Sequence, residues 1–480
     1  MLATLIQKEL RAIILSPKFF GSFAICSILI LLSVFTGIQE YKASQKQYDA
    51  ATNLVNEELL VATSWGNLDT KAYRAPDPMQ VFVSGLSYDV GRWSNISPET
   101  GVKLRHSAYS DDPIFAVFRF VDFAFIVMFV LSLIAIQFTY DAVNGERESG
   151  TLRLVFSNAV PRAKYLLAKC VGSWLGLAVP LGVPILLGLL LVLVMGVPLS
   201  VGHWAKIATL LALSLLLFTF FVFLGVLIST LTRRSSVSFL VAILVWVLFV
   251  MIIPRAGVMA AGGMVNVPRV AEVEAQREGF ANERWDKFYA DMIKVWENSC
   301  SISAEGRWQS MKAEDSARKA IEQEIEEFDA RLQEDLQQRR TRQEDLAWTL
   351  ARFSPAAAYQ LAAMSLAETD TQNKTQYEDA MSTYREQFSQ VVEQKRAESG
   401  DELGISIGMS MTPDGKQEIA VGSSRDLGAL DVSDLPRFEP PKQTYAETAA
   451  PTVVDFGLIM LSILITFAGA FVAFLRYDVR

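Results

Sequence analysis

Six runs of about twenty apolar residues punctuate this chain, each long enough to cross roughly 30 Å of hydrocarbon as a helix. They constrain the fold more than any other feature. A backbone inside lipid must satisfy its own hydrogen bonds, and runs of this length do so as helices. They lie at 18–38, 114–140, 167–195, 205–231, 236–253 and 452–475. The first is expected to stay in the mature protein, since a secretory signal has a shorter apolar core and a small-residue cleavage site. The expected class is therefore mainly α: a polytopic membrane protein with six transmembrane helices.

The segments between the runs set the orientation. Lys8, Arg11 and Lys18 precede the first run, Arg147, Arg153, Arg162 and Lys164 lie in or beside loop 141–166, Arg233 and Arg234 form a tight turn, and Arg476 and Arg480 end the chain. Short loops rich in Lys and Arg stay on the cytoplasmic side. Six spans with both termini inside put every one of these segments on that side. Residues 39–113 and 254–451 are then extracytoplasmic, 141–166 is a cytoplasmic loop and 476–480 a cytoplasmic tail.

Within 1–17, Leu2, Leu5, Ile6, Leu10, Ile13 and Ile14 recur at three- and four-residue spacing, with Gln7, Lys8 and Arg11 opposite. That is an amphipathic helix for the cytoplasmic membrane interface, with a merely charged leader as the alternative. Ser16-Pro17 ends it. The third run carries Gly172, Gly176, Pro180, Gly182, Pro184 and Gly188, which suit close helix packing or a substrate contact, and the prolines leave open a dip instead of a crossing. Arg119 and Asp122 sit near the outer end of the second run. Charge within a span is expensive, so their shallow depth suggests snorkelling or a mutual pair.

The long block 254–451 reads as largely helical. Trp285, Phe288, Tyr289, Met292 and Trp296 form one stripe, and Ile321, Ile325, Phe328, Leu332 and Leu336 another. Core packing in a helical hairpin or stalk is the expected use, with a ligand groove as the alternative. Glu327, Arg331, Asp335 and Arg339 step by four, as on an exposed helical face. FSPAAAYQLAAMSLA looks like a less polar helix against the outer membrane face. Alternation around Pro413-Asp414-Gly415 predicts a small β-hairpin. Residues 434–441 suit an extended tether to the last span.

Enzyme chemistry finds no support. Three cysteines and two histidines are scattered, and HExxH, CxxC and GxxxxGK[ST] patterns are absent from the sequence. No metal or cofactor is expected on this chain. The net charge of −8 comes mostly from the long polar block and argues for solubility rather than a nucleic-acid partner.

Loop 141–166 is too short for a catalytic domain but suits a handle for a soluble partner. Its Glu-rich turn, Gly150-Thr151-Leu152, short helix and Val160-Pro161-Arg162, with Lys169 opening the next run, resemble the first cytoplasmic loop of ABC-2 type transporter permeases. FSPAAAYQ and LPRFEPP further resemble a bacterial branch with a large extracytoplasmic insertion. The resemblance implies a coupling helix that docks on a separate ABC ATPase, which would hold ATP and Mg. Asp141, Glu146, Arg147 and Glu148 would then make charged contacts with that subunit. Thr151, Leu152, Leu154 and Phe156 would form an apolar knob, and Pro161 and Arg162 would fix the exit to the third span. The bland alternative is that these charges only solvate and orient the loop. The implied assembly pairs this chain with a second permease, identical or related, in the bacterial cytoplasmic (inner) membrane. Export, ATP-driven mechanotransmission to an extracytoplasmic protein partner, and an ATP-independent scaffold are the functions in contention.

Overall fold

The computed structural model describes residues 2–65, 68–87, 91–97, 102, 121–158, 160–298, 304–399, 405–411, 417–423 and 430–476. Among them, six helices are long and apolar enough to cross a membrane: Pro17–Leu60, Phe123–Glu148, Arg162–Val194, Val201–Leu231, Ser235–Met264 and Tyr445–Leu475. The chain is a multi-pass, mainly α membrane protein. Arg119, the start of the second expected span, the Pro413–Gly415 turn and Arg480 lie outside the described residues.

The chain opens with α1 (Leu2–Ile14) and α2 (Pro17–Leu60). Ser16 starts α2 by accepting the Phe19 N–H at 3.3 Å, and Pro17 takes the first helical position, where its missing N–H is harmless. At 44 residues, α2 is about 66 Å long and projects well beyond a bilayer core. Strands β1 (Thr70–Tyr73) and β2 (Trp93–Ile96) pair antiparallel, with Thr70 opposite Ile96. The second span comprises α3 (Phe123–Phe125), a π segment Ile126–Leu131 and α4 (Ser132–Thr139). Two short helices follow, α5 (Asn144–Glu148) and α6 (Thr151–Ser157). The next spans are α7 (Arg162–Val194), α8 (Val201–Leu231) and α9 (Ser235–Val247). Despite Pro180 and Pro184, α7 is one uninterrupted helix.

A second π segment, Leu248–Ile252, leads into α10 (Ile253–Met264). The fifth helix thus outruns its expected end at 253. Pro254 falls in the first turn of α10 after the wide π turn, where a proline interrupts no hydrogen bond. Next come α11 (Val270–Asn298), α12 (Ala304–Ala351), α13 (Pro355–Leu366) and α14 (Thr371–Ser399). Strands β3 (Ile405–Met411) and β4 (Gln417–Ser423) form the expected hairpin, and α15 (Tyr445–Ala449) precedes α16 (Thr452–Leu475).

Two compact units result, Met1–Val250 with Pro355–Arg480, and Met251–Ser354. In the second, α11 and α12 run antiparallel. Phe280 stacks on Phe328 at 4.0 Å, and Arg284 meets Glu324 at 3.1 Å. Of the expected aromatic stripe, Trp285, Phe288 and Met292 are half-buried, and Trp285 stacks on Tyr289, which is exposed. One residue along a helix turns the side chain by about 100°, so Phe280 and Arg284 meet the facing helix while Tyr289 turns outward. The charge ladder is present, with Arg331 on Glu327 at 3.1 Å and Arg339 on Asp335 at 2.8 Å.

Two further expectations change in the first unit. Helix α13 is not laid on a membrane face but packs against α8 and α16. Ala356, Ala358, Ala362 and Ala363 are fully buried, and the Tyr359 hydroxyl lies 3.0 Å from Ser214 Oγ. Small residues let backbones approach, which is what an alanine-rich helix among spans requires. The segment 434–441 is extended but not a free tether: Leu435 is buried, Phe438 packs on Tyr384, and the Tyr384 hydroxyl donates to the Pro436 carbonyl. They close a core with Trp65, Ile96, Met381 and Phe388.

Candidate functional site

Lys169 is the centre on which the loop end of the first unit is assembled. Its side chain is 5% exposed, and a buried ammonium stays charged only with partners. Two carboxylates provide them: Glu9 of α1 at 2.7 Å and Glu146 of α5 at 2.9 Å. Glu146 also accepts from Lys8 Nζ at 2.7 Å and from the Tyr165 hydroxyl at 2.6 Å. Three separate stretches of chain are clasped by this cluster. Gly172 and Gly176 make room for it, because a Cβ on Gly172 would stand 2.6 Å from that of Glu9, and Ile13 packs over Gly176.

Helix α8 holds the loop from another side. Ser229 Oγ accepts the Val143 and Asn144 N–H groups at 3.0 and 3.2 Å, and Asn144 Nδ2 donates to Thr232 Oγ1 at 3.0 Å. Glu148 accepts from the Ser235 backbone N–H at 3.0 Å and from its hydroxyl at 2.7 Å. A carboxylate there satisfies an orphan donor and complements the positive end of α9.

Gly150, at φ 73°, makes the turn between α5 and α6, a conformation glycine adopts without Cβ strain. The two faces of α6 then differ sharply. Leu152, 1% exposed, sits with Val143, Val160, Leu166 and Phe474. Phe156 lies 5.3 Å from the Tyr165 ring and 6.1 Å from that of Phe474. Opposite them, Thr151, Arg153 and Ser157 are exposed, and Leu154 is 68% exposed. A leucine held outward on a braced helix is a ready contact for an apolar groove.

The structure sorts the expected site residues. Leu154 and Thr151 face outward, while Leu152 and Phe156 belong to the seat beneath. Glu146 is turned inward rather than toward solvent because it neutralises Lys169. Glu148 is exposed, but its carboxylate is engaged as the α9 cap. Asp141 and Arg147 are half-buried, and Pro161 is exposed at the N-cap of α7. Arg162 donates to the Leu475 carbonyl at 2.6 Å, tying the third span to the end of the sixth. Asp122 is a helix cap, accepting the Phe125 N–H at 2.7 Å and the Ser84 N–H at 2.9 Å. Sequence reasoning missed Glu9, Asn144 and Ser229. Lys169 had a signal, being a lysine set inside an apolar run, but its partner on α1 had none.

At the far end of α8, buried Lys206 pairs with Glu368, a residue held at φ 54°. Burial pushes the Glu368 carboxyl up and Asp77 adds repulsion, against which Lys206 pulls it back.

Comparison with known proteins gives the family of the chain. The ABC-2 family transporter protein profile matches residues 3–479, nearly the whole chain. The chain belongs to the ABC-2 transporter family. A curated relative, "Probable ABC transporter permease protein NosY" of Stutzerimonas stutzeri, is 37% identical over 131 residues. That stretch is 27% of this ABC-2 chain and 47% of the relative, so the match spans about half of the relative's length.

Proposed function

We propose that this ABC-2 chain is the permease subunit of an ATP-driven exporter, with the ATPase activity on a separate subunit that docks on loop 141–166. The observation that carries this reading is the two-faced helix α6: Leu154 projects from a helix whose other face is locked by Leu152, Phe156 and the Lys169 cluster. A partner pressing on Leu154 moves a braced body, because α1, α5, α7 and α8 are bonded to the same loop. In this reading Thr151, Arg153 and Leu154 meet the ATPase, which carries ATP and Mg. Both termini are cytoplasmic, the membrane is the bacterial inner membrane, and a second permease completes the assembly.

Mechanotransmission is the second reading, favoured by the paired long helices α11 and α12, which offer a helical lever for a partner outside the membrane. Co-purification with a candidate ABC ATPase subunit from the same organism tests the first reading. Leu154→Asp should abolish capture while leaving the melting transition in place, since the side chain touches little within the chain. Undiminished capture would remove α6 from the interface.

A further inference from the structure

A cavity of about 440 Å³ opens beside the Lys169 cluster, between α1, the start of α2, the end of α4, α5 and α7. Three ammonium groups and three carboxylates line it. Four of these, Lys8, Glu9, Glu146 and Lys169, neutralise one another. Lys18 and Asp141 remain; they attract one another across the cavity, but among the described residues neither is in direct ion-pair contact. Lys18 is exposed, with its ammonium 5.7 Å from the centre of the Tyr140 ring. The wall therefore offers one cation and one anion, and Phe138, Ala12 and Ile13 supply an apolar floor.

The chain around Lys18 points to the kind of occupant. Leu15 and Phe20, three residues before and two after Lys18, are 73% and 62% exposed. Large apolar side chains at the first turn of a membrane span are covered by lipid, so the mouth lies at headgroup depth. A ligand reaching it from that direction is a phospholipid, and the wall selects its head. We propose that this cavity binds the headgroup of an aminophospholipid, the phosphodiester against Lys18 and the primary ammonium against Asp141. Asp141 is then a lipid ligand rather than an ATPase contact, and the proposal does not rest on the ATPase reading. A primary ammonium donates hydrogen bonds to a carboxylate, whereas a trimethylated one has no N–H to give. Phosphatidylglycerol offers Lys18 its phosphate but brings no ammonium to hydrogen-bond with Asp141. The site thus discriminates among lipids of equal tail length.

Native mass spectrometry of the delipidated full-length chain tests this with dioleoyl phosphatidylethanolamine, phosphatidylcholine and phosphatidylglycerol added in turn. Phosphatidylethanolamine should be retained about tenfold more tightly than either other lipid, the worth of one charge-assisted hydrogen bond. Lys18→Gln and Asp141→Asn should each reduce its retention to the phosphatidylcholine level. Lys18 is exposed, so its variant folds even where Asp141→Asn does not. Equal retention of the three lipids, or unchanged phosphatidylethanolamine binding by Lys18→Gln, overturns the proposal. Binding of free glycerophosphoethanolamine as tightly as the lipid also overturns it, in favour of a soluble ligand.

Discussion

Replacing Lys169 by methionine tests whether the loop end is held by one buried charge. The methionine fills much of the lysine stem's volume, so the change is chiefly electrostatic. It removes the contacts to Glu9 at 2.7 Å and Glu146 at 2.9 Å. Breaking a buried ion pair from one side costs roughly 3–5 kcal/mol, because the remaining charge is left uncompensated. The two carboxylates are not equally stranded. Glu146 keeps Lys8 and the Tyr165 hydroxyl, whereas among the described residues Glu9 keeps no partner of comparable closeness. The loss therefore falls mainly on Glu9, and about 3 kcal/mol is expected. Adding Glu9→Gln to Lys169→Met should recover about 1–2 kcal/mol, since the stranded charge is then gone. Reversible unfolding in mixed micelles, followed by tryptophan fluorescence, measures both. A single variant within about 0.5 kcal/mol of the wild type, or a double variant no better than the single, would refute the assignment.

Two other substitutions probe the helix contacts. A Cβ at Gly225 would stand 1.9 Å from Thr139 Oγ1, so Gly225→Ala should lower stability by about 1–3 kcal/mol through overpacking of α4 against α8, and Thr139→Ser should not relieve it because the hydroxyl remains. Unchanged unfolding of Gly225→Ala would contradict that approach. Glu368→Gln should be more damaging than Lys206→Met, because the Glu368 carboxyl, already pushed up by burial, can take a proton when Lys206 is lost. Thermal melts of the two variants side by side check the order, and the reverse order would refute it.

The spans were legible because twenty consecutive apolar residues leave a helix little alternative, and the amphipathic period of α1 was equally plain. Loop 141–166 was legible as a place but not as a geometry. Glu146 and Glu148 are two residues apart in a helix of five, too short for any period to show which faces inward. Their orientations are set by Lys169 and Ser235, 23 and 87 residues away along the chain. The fifth helix was cut short at Pro254 because local rules end helices there, and the π turn that accommodates it leaves no mark in the sequence. The apolar helix α13 was recognised as such, but its burial among spans depended on Ser214 and Tyr359 meeting, a pairing no local pattern encodes.

The pairing of Lys206 with Glu368 also imposes an order on biogenesis. The lysine enters with the fourth helix, and its carboxylate partner is translated 162 residues later. At ordinary elongation rates of about 5–20 residues per second, the helix waits on the order of ten to thirty seconds for it. During that interval the ammonium must stay near the bilayer surface, since a stranded charge at depth is costly. A chain truncated before Glu368 therefore keeps an unneutralised lysine at the membrane boundary, a built-in mark of an unfinished product.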